Sequence, residues 1–125
     1  LPRSDRALLR RHPVREVLSV TVYGGDGEAS LVDPGSYQLD GAGRPARLHF
    51  HAVPTPGMAM NGIEIDFSAG FGEAATDVPD LLKRAILALV AHWYEFRAGF
   101  GAGEQPVSFP PGYERLIAPW RSRRL

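Results

Sequence analysis

The chain has no cysteine. Disulfides and thiol chemistry are thereby excluded, a usage that fits synthesis inside a cell. No apolar run approaches the roughly 20 residues that a membrane span needs. The opening LPRSDRALLRRH predicts no cleavable signal, and the missing initiator methionine suits a fragment or a processed start. Net charge is also absent, but the zero hides a segregation. Residues 1–15 carry five arginines against one aspartate, residues 16–80 carry ten acids against Arg44 and Arg47, and residues 81–125 carry seven bases against three acids. Basic ends around an acidic middle fit a solvated surface, ends that dock on acidic partners, or copies that meet head to tail.

What is present is ordinary for a globular domain. Hydrophobic residues make up 44% and charged residues 22% of 125 positions, enough for one domain with a modest core. VREVLSVTVYG (14–24) alternates, with Leu18, Val20 and Val22 on one face and Ser19, Thr21 and Tyr23 on the other, and predicts a strand. GGDGE (24–28) predicts a turn. SYQLDGAGRPARLHFH (36–51) predicts a hairpin with strands at 37–39 and 46–51 around a turn at 40–44. Residues 52–62, rich in Pro and Gly, predict a loop, and IEIDFSAGF (63–71) a strand with Glu64 and Asp66 on a solvated edge. Short connections make these about four strands antiparallel.

After Val78 the period changes. Pro79 suits a first helical position. Leu81, Leu82, Ala85, Ile86, Leu89, Val90, Trp93 and Phe96 then recur at three and four, with Lys83, Arg84, His92 and Glu95 largely off that stripe. AGFGAG (98–103) predicts the stop. Pro106, Pro110 and Pro111 predict an extended stretch, followed by a short helix over 113–118 stopped by Pro119. Four short strands and one long helix make a thin core. The helix stripe therefore needs a further helical partner or another subunit.

The glycine turn in AGFGEAATDVPDLLKRAI (69–86) invites a phosphate-loop reading. It has neither the Lys nor the following hydroxyl of a Walker loop, and Glu73-Ala-Ala replaces the last glycine of a dinucleotide fingerprint. Asp77 and Asp80 neutralise the helix start and repel phosphate. Gly70 and Gly72 are expected to serve unusual backbone angles at a strand-to-helix corner. No cofactor site is expected. His49 and His51 share a strand face and His92 and Glu95 are three apart on the helix, which keeps a small metal-dependent enzyme as an alternative. Against it stand solvent-exposed histidines without a recognised ligand spacing, and no nucleophile elbow or apolar carboxylate pair occurs. The arginines in RALLRRHPVR and RSRRL keep DNA binding through the termini as a second alternative. In the tail, Phe109, Tyr113, Leu116, Ile117 and Trp120 stand beside Arg115, Arg121, Arg123 and Arg124. They suit packing on the chain's own core, or anchoring in a partner's groove, where aromatics and arginine dominate.

Residues 63–97, IEIDFSAGFGEAATDVPDLLKRAILALVAHWYEFR, resemble the head–tail connector, or adaptor, proteins of tailed phages and gene transfer agents. The matching positions are Ala69-Gly-Phe-Gly72, with Phe71 where Tyr is common, then Val78-Pro79, Leu82, Ala85, Ile86, Leu89, Ala91, Trp93, Tyr94, Glu95 and Arg97. GYERLIAPWRSRRL is similar to the family's closing short helix, with Trp120-Arg121 at its Tyr-Arg position, and residues 14–40 resemble its preceding strands. The resemblance implies an α+β fold: a small antiparallel β region, one long amphipathic helix and a short C-terminal helix. Set beside the family's usual start of two or more helices, the residues before the first strand predict no such helices within this chain. It implies a core domain over 1–103, with β region 14–71 and long helix 79–97, and a C-terminal segment over 104–125. It further implies a non-enzymatic subunit of a particle neck, assembled in the bacterial cytoplasm. That subunit forms a homo-oligomeric ring, commonly of twelve copies, that joins the portal to a stopper or tail component. Such a ring continues the DNA channel and touches DNA transiently, with no membrane contact. Phe109, Tyr113, Leu116, Ile117, Trp120, Arg121, Arg123 and Arg124 are the expected partner-interface residues.

Overall fold

The computed structural model describes residues 5–99 and 108–121. It divides into two compact units that meet in sequence at Gly70 and Phe71.

Unit 1 is a sandwich of two three-stranded antiparallel sheets. Strands β1 (Arg6–Leu9), β4 (Tyr37–Asp40) and β5 (Ala46–Phe50) form one sheet in the order β1-β5-β4. Strands β2 (Val14–Tyr23), β3 (Ala29–Leu31) and β6 (Ile63–Ala69) form the other in the order β3-β2-β6. The four expected strands are present, joined by the short β1 and β3. Because side chains alternate along a strand, one row from each sheet faces inward. Leu9, Ala46, Leu48 and Phe50 from the first sheet meet Val14 and Val20 from the second, with Val17, Leu39, Ile65 and Phe67 around them. Leu48 and Val20 are wholly buried.

Leu18 departs from the expected inward row. The β2–β6 register shifts between Val17 and Ser19, so Val17 turns to the core and Leu18 is 57% exposed. A bulge of this kind inserts one residue without a cross-strand partner and reverses the alternation behind it. β6 is an edge strand, and its outward Glu64 and Asp66 lie on that edge as expected. Loop 52–62 is pinned to the end of β2: Gly57 N donates to Tyr23 O at 2.9 Å, and Tyr23 N donates to Gly62 O at 2.9 Å. Gly57 sits so close to Gly24 and Gly25 that a Cβ there would strike their backbone.

Unit 2 holds α1 (Asp80–Gly99) and α2 (Tyr113–Ile117), with a short 3-10 turn over Ala75–Asp77 before α1 and another over Ala118–Trp120 after α2. Pro79 caps α1: its carbonyl accepts from Leu82 N at 3.0 Å and from Lys83 N at 3.2 Å. The glycine corner works differently at its two positions. Gly70 has φ +135°, which favours glycine. Gly72 is not in that region; instead the Asp77 side chain occupies the space where a Cβ would stand. That carboxylate accepts from Ala74 N at 2.9 Å and closes the turn before the helix. The expected boundary at 103/104 and Pro106 lie outside the described residues.

Two substitutions check this packing. Leu48→Ala is expected to cost about 2–5 kcal/mol in urea unfolding, as for a buried leucine that leaves a cavity. Gly57→Ala is expected to cost about 1–3 kcal/mol through overpacking, while Leu31→Ala on the exposed edge stays within about 0.5 kcal/mol.

Candidate assembly interface

Helix α1 presents two apolar sides. At 3.6 residues per turn, Leu82, Ala85, Leu89, His92 and Phe96 fall on one side. Ala85 is buried and the other four are half-buried. On the remaining surface Ile86, Leu87, Val90, Trp93 and Tyr94 share a contiguous sector, exposed by 58, 68, 57, 45 and 74% respectively. Lys83 and Arg97 punctuate that sector, and Arg84 and Glu95 lie at its back. A helix apolar on more than one side is covered on more than one side when it is assembled.

His92 was expected off the stripe but lies on the inner side. Its ring packs edge-on to Phe96 at 4.5 Å between centroids, and its Nε2 is 2.8 Å from Ser108 Oγ. Trp93 Nε1 donates to Ser108 O at 3.3 Å. Ser108 thus ties the C-terminal segment to α1, and α2 packs against the same helix. Gly112, at φ +83°, turns the chain into α2. Phe109 and Tyr113 stack with ring centroids 5.0 Å apart and planes 5° from parallel. Arg121 pairs with Glu114 across the short helix. Tyr113, Leu116, Ile117 and Trp120 are half-buried, while Phe109 and Arg121 are exposed. Arg123 and Arg124 lie outside the described residues. The sequence offered no signal for Ser108 as an anchor, because a lone serine between prolines carries no pattern.

The other candidate residues lie apart from this arrangement. In unit 1 the His49 and His51 rings meet edge to face at 5.5 Å, and His49 Nδ1 lies 3.5 Å from Asp5 Oδ2. Glu95 is exposed on α1. Among the described residues no group of three or more His, Asp or Glu is arranged to hold a metal ion. No helix among them is long and apolar enough to cross a membrane. Loop 52–62, read from sequence only as a loop, folds a shallow recess of about 460 Å³ lined by Val53, Pro54, Pro56, Met58 and Ile63. Beside it Tyr23 Oη donates to Glu64 Oε2 at 3.2 Å. That hydrogen bond, and then the carboxylate's charge, raises the Tyr23 phenol above its ordinary value.

The class these features define is an α+β fold in which a β-sandwich precedes a long helix carrying an aromatic C-terminal segment. No protein-family model and no curated protein matches the sequence. Solved structures do. The chain is similar to one from the neck of a native gene transfer agent particle computed with C12 symmetry, at 30% identity and a TM-score of 0.71, covering 97% of this chain and 64% of that one. It is similar to one from the virion of a native gene transfer agent particle, at 27% identity and a TM-score of 0.73, covering 97% of this chain and 60% of that one. It is also similar to one from the neck of an empty particle computed with C6 symmetry, at 29% identity and a TM-score of 0.71, covering 97% and 60%. This chain therefore spans less than two thirds of the length of the chains it resembles. The likeness is consistent with the head–tail connector, or adaptor, family.

The Tyr23–Glu64 bond sets a pH dependence. A raised phenol pKa means that the folded chain prefers the protonated form, so this stabilisation is complete below the ordinary value near 10.0 and is lost as pH rises through the raised one. Glu64→Gln is expected to bring the Tyr23 titration back toward the ordinary value, as read by ultraviolet difference absorbance. An unchanged titration would remove Glu64 as its cause.

Proposed function

We propose that this chain is a structural subunit in the neck of a phage-like particle. Copies form a ring that joins the portal to the next neck or tail component and continues the DNA channel. It acts by assembly and not by catalysis. The observation that carries this reading is the likeness, over 97% of this chain, to chains from gene transfer agent necks. Those necks were computed with C12 and C6 symmetry, which supports a ring of copies here.

The exposed side of α1 supports the same reading and gives the ring its contact. Fully burying a large apolar side chain stabilises by about 1.5–3 kcal/mol. Five half-exposed ones offer about half of their combined value, against roughly 4–15 kcal/mol lost on association. One such contact makes a weak pair. A ring in which every copy contributes two closes without a free end and multiplies the gain. The second copy is the occupant that suits this face. The aromatic C-terminal segment, with Phe109, Tyr113, Leu116, Ile117, Trp120, Arg121 and the two arginines Arg123 and Arg124, is assigned to the portal.

Leu87→Glu with Val90→Glu is expected to leave stability within about 0.5 kcal/mol per exposed site while abolishing self-association in sedimentation velocity. Rings that persist in this variant would remove α1 as the contact. Tyr113→Ala with Trp120→Ala is expected to abolish portal binding while circular dichroism stays unchanged, and Phe109→Ala, at an exposed site, to weaken it. Electron microscopy of the chain mixed with portal protein reads both. Unchanged portal occupancy would reject the C-terminal assignment.

A further inference from the structure

The outer side of α1 carries a base at each end. Lys83 stands in its first turn and Arg97 in its last, both within the apolar sector. The two acids of α1 are Asp80, 3.4 Å from Lys83, and Glu95, at the back of the sector. A two-fold pair of copies would set this surface against itself, base against base, and would stop at two. A ring of more than two copies is built from two different surfaces, each meeting the other on the next copy. The outer side of α1 therefore needs a complement that is apolar at its centre and acidic at its rim.

Unit 1 has such a surface where β2 and β6 meet loop 52–62. Val53, Met58, Met60 and Ile63 are open to water there, and Met60, at 78%, is the most exposed large hydrophobic side chain among the described residues. Val53, Met58 and Ile63 line the shallow recess. Both methionines of the chain stand in this loop. Their unbranched, polarisable side chains adapt to irregular gaps, which suits a contact surface. Turn 24–28 lies against the loop through Gly24, Gly25 and Gly57, and it brings Asp26 and Glu28. Strand β6 adds Glu64, next to Ile63, and Asp66. Residues 20–31 and 52–68, which build this end, hold those four acids and no Lys or Arg. The Glu28 and Asp66 carboxylates make no ion pair or hydrogen bond among the described residues. The acidic middle and the basic C-terminal part of the sequence thus supply two surfaces of opposite sign, each with an apolar centre.

We propose that the acid-rimmed apolar end of unit 1, around Met58 and Met60, receives the outer side of α1 from the next copy. This deepens the ring reading above and rests on it, because it names the surface that α1 meets. Burial of the apolar centres supplies the gain. The rim charges select the pairing, since like charge against like is penalised and opposite charge steers the encounter.

Complementation between two variants of the full chain tests it. Met58→Glu with Met60→Glu spoils the loop, and Leu87→Glu with Val90→Glu spoils the helix. Each variant alone is expected to lose all species above the monomer in sedimentation velocity, with circular dichroism unchanged. Mixed in equal amounts, the two retain one intact loop and one intact helix between them. They are expected to form a pair of one copy each and nothing larger. The absence of cysteine allows a second measurement with milder changes. When Met60→Cys copies are mixed with isotope-labelled Leu87→Cys copies, gentle oxidation is expected to link the two kinds in preference to either with itself. Rings that persist in the loop variant, or a mixture that stays monomeric while the unaltered chain assembles, would overturn this contact and leave the ring reading standing. Leu87→Cys copies that link chiefly to one another would place α1 against α1 and overturn it equally. An unaltered chain that stays monomeric at high concentration would remove the ring reading, and this contact with it.

Discussion

Ile86, Leu87, Val90, Trp93 and Tyr94 stand open to water on α1, while Leu82, Ala85 and Leu89 occupy the opposite side of the same helix. The rest of unit 2 follows from that doubled apolar character. α2 packs against α1, and Ser108 is tied to both His92 on the inner side and Trp93 on the outer one, while Ile86, Leu87, Val90 and Tyr94 stay exposed among the described residues. Water makes such a surface costly and makes its burial the driving force for association. Its size matters as much as its presence. The gain from one such contact is of the order of the cost of bringing two molecules together, so the proposed ring would depend on repetition more than on the strength of any pair.

Unit 1 follows a different logic. Its core is closed by two small sheets, and its outward rows are free to carry charge. Edge strand β6 bears Glu64 and Asp66, as edges commonly do where pairing with another chain is discouraged. Arg10, Arg11, Arg44 and Arg47 lie at the end where β1 stops and β5 begins.

Much of this was legible in the residues. The period of three and four after Pro79 predicts α1 and its excess of apolar positions. The alternation in 14–24 and 63–71 gave β2 and β6. Other features left no trace. Leu18 continues the alternating row, and only pairing with β6 reveals the bulge that turns it outward. β1 and β3 span four and three residues, too short for a period to show. The Gly-rich corner suggests a conformational reason for Gly72, whereas the Asp77 side chain occupies the space beside it. His92 reads as polar, yet Ser108 satisfies its ring and lets it face inward. Of the candidate interface, the aromatic C-terminal residues are visible by type, whereas their attachment to α1 involves hydrogen bonds from Ser108 to residues 15 and 16 positions away.

The claim on which this account turns is that a second copy covers the outer side of α1. A photo-crosslinking residue placed at Leu87, in the otherwise unaltered chain, addresses it most directly. Covalent dimers and a ladder of higher species are expected on illumination, with the crosslinked peptide mapping to another copy. Irradiation of concentrated protein that yields no intermolecular product would contradict it.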